Sequence, residues 1–426
     1  MTLALPESLA AANQEFARMY PGDSELRQPV HTVYGGAHLF KADVSARFGK
    51  LAERSLSDYA PDAATLALAL CIPNKLADVV YARVLDKLRR EPVEDFRIDF
   101  EDGYGNRPDS EEDAAVDAAA EAVAHGMAAK TLPPFIGIRI KPLSEELKDR
   151  SIRTLDRFFS ALLKKSGDHL PGFFVVTLPK VSVPEQVHAL LATLSPRHSV
   201  RIEIMVETPQ AILSLPELIA AAEGRCSGVH FGPYDYTASL GITSANQDLL
   251  HPACNFARSM MQVALAGRGI RLSDGPTNIM PVPAHRGESV TAQQMVENRA
   301  IVHRAWKLHY RNVRHALDNG FYQGWDLHPA QLVSRYAAVY GFFLEGLDAA
   351  SERLRNFIQK AARATMVGCV FDDAATGQGL LNYFVRATNC GAVPESDVPT
   401  LTGLTIEELH SGSFMKILQG RAEKQI

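Results

Sequence analysis

Along this chain short apolar runs recur, each closing on a charged or turn-forming residue, and stretches of helical period separate them. The strand-like runs begin near residues 31, 96, 135, 173, 202, 228, 279 and 321. Four of them, 96–100, 135–140, 173–178 and 202–206, read as successive strands. Between them, residues 42–56 and 187–194 have helical spacing, and Leu155, Phe158, Phe159, Leu162 and Leu163 form one apolar stripe. Ala257, Met260, Met261, Val263 and Ala264 form another, and a long amphipathic helix is predicted over 290–317. Eight alternating βα units predict an α/β fold, a closed (β/α)8 TIM barrel. The alternative, an open doubly wound sheet, lacks support because no GxGxxG opens a helix after a strand.

Three segments do not fit the repeat. The first 30 residues, with Pro6, Pro21 and Pro29, read as an N-terminal arm. Residues 62–90 separate the first two strands with an apolar run and an amphipathic stretch, and read as an insertion after the first strand. Residues 338–426 are mostly helical in pattern, interrupted at 371–379 and by Pro394 and Pro399. The expected division is a catalytic barrel over 1–340 and a C-terminal helical cap or oligomerisation extension over 341–426.

Charged residues gather at the carboxyl ends of the predicted strands, where barrels and open parallel sheets bind ligands. The fifth strand ends in Val206-Glu207-Thr208-Pro209 and the sixth in Phe231-Gly232-Pro233-Tyr234-Asp235-Tyr236. Glu207 and Asp235 stand 28 residues apart, about one βα unit. Placed side by side they make a two-carboxylate site suited to a hard cation such as Mg²⁺, which also takes oxygens from substrate and water. The second strand ends in Asp99-Phe100-Glu101-Asp102, acids that repel one another unless cations answer them. Arg139 and Lys141 stand at the end of the third strand and Lys180 follows the fourth. A permanently charged, planar arginine also suits a substrate carboxylate. A Schiff-base role for Lys180 would need a depressed pKa, which nearby carboxylates oppose. His328 follows the eighth strand and is a candidate acid or base or a hydrogen-bonded core residue. Ser110, Glu111, Glu112 and Asp113 are read as helix-capping residues, and His303, His309 and His315 lack the i, i+4 spacing of paired metal ligands.

Composition narrows the partners. A formal net charge of −5 without a basic stripe argues against nucleic acid. No segment approaches the roughly 18 apolar residues of a membrane span, and the first residues lack a basic-then-apolar pattern. Five scattered cysteines without CxxC spacing fit a reducing compartment, so the expectation is a soluble cytoplasmic protein.

Taken in order, Asp99-Phe100-Glu101-Asp102, Ile138-Arg139-Ile140, Leu178-Pro179-Lys180-Val181, Glu207-Thr208-Pro209, Phe231-Gly232-Pro233-Tyr234-Asp235 and 324–331 (Gly-Trp-Asp-Leu-His-Pro-Ala-Gln) resemble the HpcH/HpaI aldolase and citrate lyase beta subunit family, which includes malyl-CoA lyases. The resemblance spans about residues 95–335. It implies a Mg²⁺-dependent carbon–carbon lyase or aldolase, with Mn²⁺ as a substitute, acting on a 2-oxo acid, hydroxy acid or acyl-CoA. Glyoxylate, pyruvate or oxaloacetate is the expected fragment. It implies Glu207 and Asp235 as metal ligands; Arg139, Gly232, Pro233 and His328 as substrate-binding residues; and Arg139, Glu101, Asp99, Asp102 and Lys180 as the catalytic group. A homo-oligomer is also implied, and Asp372 and Asp373 loosely match an acid on the C-terminal lid of malyl-CoA lyases. The chain departs from the family in lacking an arginine near the start of its first strand and a glycine soon after Glu207-Thr208-Pro209, which favours a free oxo acid over a CoA thioester. Two further readings are phosphoenolpyruvate-type phosphoryl or mutase chemistry on the same barrel, and a catalytically silent metabolite-binding scaffold.

Overall fold

Along most strands outward, mainly apolar residues alternate with inward ones that are often polar, so one sheet serves both an outer core and a polar interior. The computed structural model describes residues 7–22, 26–195, 199–287, 289–359, 365–367, 370–372 and 374–423. The strands β1 (His31–Gly36), β2 (Asp95–Asp99), β3 (Phe135–Arg139), β4 (Phe174–Leu178), β5 (Arg201–Val206), β6 (Cys226–Phe231), β7 (Arg271–Pro276) and β8 (Gln323–Asp326) pair in parallel, in sequence order, and β8 closes on β1. The expected (β/α)8 barrel is therefore present.

One strand lies elsewhere than the apolar pattern places it. β7 is Arg-Leu-Ser-Asp-Gly-Pro over 271–276, not the apolar run at 279–282. Its buried Asp274 is answered by Arg258 at 2.9 Å, so polar residues are tolerated in this strand. The run at 279–282 contains Pro281 and precedes Pro283, and each proline removes a ladder donor.

The helices are α1 (Glu7–Met19), α2 (Val44–Tyr59), α3 (Ala63–Leu70), α4 (Ala77–Arg90), α5 (Asp109–Ala129), α6 (Lys148–Ser166), α7 (Pro184–Thr193), α8 (Pro209–Leu213), α9 (Leu215–Ala221), α10 (Pro233–Ser239), α11 (Pro252–Leu265), α12 (Ala292–Asp318) and α13 (Gln331–Gln359). The segment between the first two strands supplies α3 and α4, with α4 packed on α2, α3 and α13. Outward Val33, Ile98, Ile138, Val176, Ile204 and Val229 are fully buried against this helical ring. Then follow a hairpin of β9 (Thr365–Val367) and β10 (Val370–Asp372), and α14 (Ala374–Asn389), α15 (Val398–Thr402), α16 (Ile406–His410) and α17 (Phe414–Glu423). α13 runs unbroken through residue 340 and carries α14 and α15 against it. α14 reaches the side where strands begin: Arg386 donates to Gln28 Oε1 at 2.8 Å and lies 4.0 Å from the Tyr322 ring centre. Asp373 lies outside the described residues, and of Asp372 only its place in β10 is described.

The inward residues form a hydrogen-bonded column rather than the usual Val/Ile/Leu filling. From the strand beginnings upward, Gln323 Nε2 donates to Thr32 Oγ1 (2.8 Å), and Thr32 donates to Asp95 (2.8 Å). Arg97 pairs with Asp95 and with both oxygens of Glu203 (2.7 and 3.0 Å). Glu203 is 3.3 Å from His230 Nε2, whose Nδ1 meets the Tyr34 hydroxyl at 3.2 Å. Burial raises the Asp95 carboxyl, whereas at Glu203 the Arg97 and His230 charges outweigh burial and lower it. Above the column Tyr34, Met205 and Trp325 form a small buried layer, with the Tyr34 and Trp325 ring centres 4.4 Å apart. No described helix is long and apolar enough to cross a membrane.

Candidate active site

At the end of β2 the loop folds back around the Asp99 carboxylate, which accepts from the backbone N–H of Glu101 (2.9 Å) and of Gly103 (2.7 Å). A Cβ on residue 103 would lie 2.5 Å from Asp99 Oδ2, so the turn needs glycine there. The same carboxylate holds Arg139, at the end of β3, in a two-pronged pair through Nε (2.7 Å) and Nη2. Arg139 Nη1 is 3.0 Å from Glu101 Oε2. Its guanidinium lies over Tyr34 and Trp325, 4.9 and 5.6 Å from their ring centres. Buried among acids and aromatic faces, it is fixed in position and in charge.

After β4, Lys180 takes a left-handed backbone conformation (φ 50°), which costs a non-glycine residue about 1–2 kcal/mol. That turn sends its ammonium into the acids. It bonds Glu101, lies 3.3 Å from each Asp102 oxygen, 3.9 Å from Glu207 Oε2 and 4.0 Å from Asp235 Oδ1. The charges of Glu207 and Glu101 outweigh burial and raise the Lys180 pKa, which disfavours the neutral amine a Schiff base requires.

Glu207 follows β5. Its neighbour Thr208 caps α8 by accepting from Ala211 N–H (3.1 Å) and also donates to Val181 O (3.3 Å), tying this loop to the Lys180 loop. Glu207 is 2 % exposed, and its Oε1 has no hydrogen-bond partner. Burial pushes its pKa up to about 8, against the pull of Lys180 and Arg139. Gly232 lies against it: a Cβ there would stand 2.4 Å from Glu207 Cγ. Pro233 is the buried first residue of α10, and Asp235, in its first turn, is half exposed.

The structure thus brings Asp99, Glu101, Asp102, Arg139, Lys180, Glu207 and Asp235 to one mouth of the barrel, with Gly232 giving Glu207 room. His328 makes no hydrogen bond or ion pair with them: its Nδ1 accepts from Ala330 N–H at 3.2 Å, and burial lowers its pKa. Lys141 is a structural tie, donating to Phe100 O (2.6 Å) and pairing with Glu112 (3.0 Å). Glu112 and Asp113 do more than serve a helix start, because Thr154, Arg150, Arg153 and Arg157 from α6 meet them. His309 is buried, between Asp326 and Ser334.

Around Lys180 and Arg139, five carboxylates face two cations. Together with the orphaned Glu207 oxygen, that excess fits a further cation. Among the described residues no group of three or more His, Cys, Asp or Glu forms a metal-holding cluster. Glu207 and Asp235 are the two carboxylates here that could take a hard cation, with waters and substrate oxygens filling its other positions.

Sequence reasoning on strand ends missed Tyr34, Met205 and Trp325 beneath Arg139, and the column below them. The available signal was the residue at every second strand position, polar at Asp95, Arg97 and Asp99 and at Glu203 and Glu207, which puts Met205 on the same inward face.

Fold and mouth together define a (β/α)8 barrel with an acidic, cation-suited site at the carboxyl ends of its strands. The chain belongs to the family described as a domain of unknown function (DUF6986), which it matches over residues 9–417. No curated protein matches it significantly in sequence. Among solved structures it is similar to a citrate lyase from Burkholderia xenovorans LB400, at 17% identity and a TM-score of 0.55, over 89% of this chain and 97% of that one. It is also similar to protein CitE from Mycobacterium tuberculosis, solved with magnesium, acetoacetate and coenzyme A, at 17% identity and a TM-score of 0.52, over 86% of this chain and 100% of that one. The resemblance to the citrate lyase group holds at the level of the fold.

Proposed function

We infer that this protein is a Mg²⁺-dependent carbon–carbon lyase or aldolase acting on a 2-oxo acid, hydroxy acid or acyl-CoA, with a free oxo acid favoured. The observation that carries this reading is the buried Glu207 with its orphaned oxygen, beside Asp235 and next to a fixed arginine. The magnesium and acetoacetate found with CitE support it by analogy of fold.

Glu207 and Asp235 would hold the cation. When bound, Mg²⁺ would supply Lewis-acid stabilisation of the negative charge that develops beside the cleaved bond. Lys180 keeps Glu101 and Asp102 as partners of its own, so it stays charged and in place when the other two acids take a cation. Asp99 occupies the Nε side of Arg139, which leaves Nη1, now shared with Glu101, to meet a substrate carboxylate. Holding that carboxylate on a guanidinium that cannot turn presents the reacting carbonyl in one orientation. We place this chemistry in residues 1–340 and assign 341–426 to an extension against the barrel's base.

The test is Mn²⁺ titration of the parent, Glu207→Gln and Asp235→Asn, together with melting in Mg²⁺ plus oxalate or glyoxylate. The expected result is Mn²⁺ binding weakened at least tenfold in both variants, and an oxo-acid-dependent rise in Tm in the parent alone. Variants that bind Mn²⁺ as the parent does would overturn the metal site.

A further inference from the structure

A cavity of about 550 Å³ lies at the other end of the barrel, where the strands begin, between the barrel and the C-terminal helices. Its walls come from the chain before β1, the turn from α11 into β7, the start of β8, α14 and residues 409–412. The volume falls in the range of roughly 300–1,000 Å³ typical of small-molecule sites. Among the described residues no Asp or Glu lines it, whereas Arg271 and Arg386 both do, along with the side-chain amides of Gln28, Asn382 and Asn389. Arg271 is half-buried and donates to Arg27 O (2.6 Å), and its guanidinium lies 5.2 Å from the Phe135 ring centre. Among the described residues no carboxylate lies within ion-pair distance of it, and Glu203 and Asp95, whose charges reach it, are bonded to Arg97. Burial lowers the basicity of Arg271. A partly buried cation without a counter-charge is costly, and an anion entering the cavity would relieve that cost. Leu265, Ile270 and Leu409 give the remaining wall an apolar character.

We propose that this cavity is a second ligand site, separate from the acidic mouth, for a small organic anion whose carboxylate or phosphate group meets Arg271 and Arg386 and whose apolar body lies against Leu265, Ile270 and Leu409. The base of such a barrel is not where its chemistry is done, so the site binds without catalysing. Gln28 bonds Arg386 on one side and approaches Gln323 Oε1 at 3.3 Å on the other, so an occupant touches the foot of the barrel's inner column.

Benzoate and phenyl phosphate share an apolar body and differ in the anionic group. Calorimetric titration of the full chain with each is expected to show one equivalent bound, with the tighter probe identifying the preferred group. Binding is expected to weaken roughly tenfold or more in Arg271→Gln, in Arg386→Gln and in the cavity-filling Asn389→Leu, and to persist in Arg139→Gln. Melting curves check that each variant is folded, and any two of the three cavity variants suffice. Binding of neither probe overturns the proposal. So does binding that Arg139→Gln abolishes and folded cavity variants leave intact, because the acidic mouth would then be the receptor.

Discussion

The placement of Glu207 depends on an atom that residue 232 lacks. Gly232→Ala puts a Cβ 2.4 Å from Glu207 Cγ, and neither the buried acid nor the start of α10 has open space to yield. The expected cost is about 1–3 kcal/mol of overpacking and a Mn²⁺ affinity reduced tenfold or more, because the acid must leave its position. Gly379→Ala is the control: among the described residues nothing lies within 4 Å of its added Cβ, it sits on an exposed helical face, and stability and metal affinity should hold or improve slightly. Mn²⁺ titration with melting curves checks both. The acids themselves were legible in the sequence, since Glu207 and Asp235 each follow a strand-like run beside a proline. The need for glycine at 232 was not, because it arises from a contact between the ends of two strands.

At the scale of elements, seven strand positions followed from apolar runs and β7 did not, for a reason specific to it. Burial was inferred from apolar character, yet Ser273 and Asp274 are buried with hydrogen-bond partners, and the apolar residues at 279–282 lie in the loop after the strand. The same limit hid the joint between β1, β8, α12 and α13. There the outward Asp326 meets His31 Nδ1 (2.8 Å), His309 Nε2 (3.0 Å) and Arg335 Nη2 (2.8 Å). Burial lowers the pKa of His309 below its ordinary 6.5, more than Asp326 raises it, so the folded protein keeps it neutral. Below about pH 6.5 the unfolded chain takes up a proton that the fold refuses, and stability falls as pH falls. Asp326 is held well below 3.8, with Arg335 and the two histidines outweighing burial, so its contribution is lost only in stronger acid. Acid weakening should therefore begin at His309. Between about pH 6.5 and 5 the parent is expected to lose up to about 1.4 kcal/mol per pH unit more than His309→Gln, read from denaturant melts across that window. Equal slopes would mean that His309 titrates normally.

On the scale of the whole molecule, the barrel is held along its axis by charge as much as by packing. Arg97 is fully buried and is the cation between Asp95 and Glu203, while its neighbours continue to Gln28 at the base and to Tyr34 beneath Arg139 at the mouth. Arg97→Met leaves two acids in a dry interior, and removing one partner of a buried pair costs about 3–5 kcal/mol. The loss should be largest at neutral pH and shrink in acid, where protonation of the stranded carboxyls offsets the missing cation. Adding Asp95→Asn and Glu203→Gln removes the stranded charge and should restore most of that stability, because a neutral hydrogen-bonded interior has no charge to compensate. Denaturant unfolding of the single and triple variants at neutral and acidic pH measures this. A triple variant no more stable than Arg97→Met would mean that the bulk of the arginine, stacked through the barrel centre, holds the strands together rather than its charge.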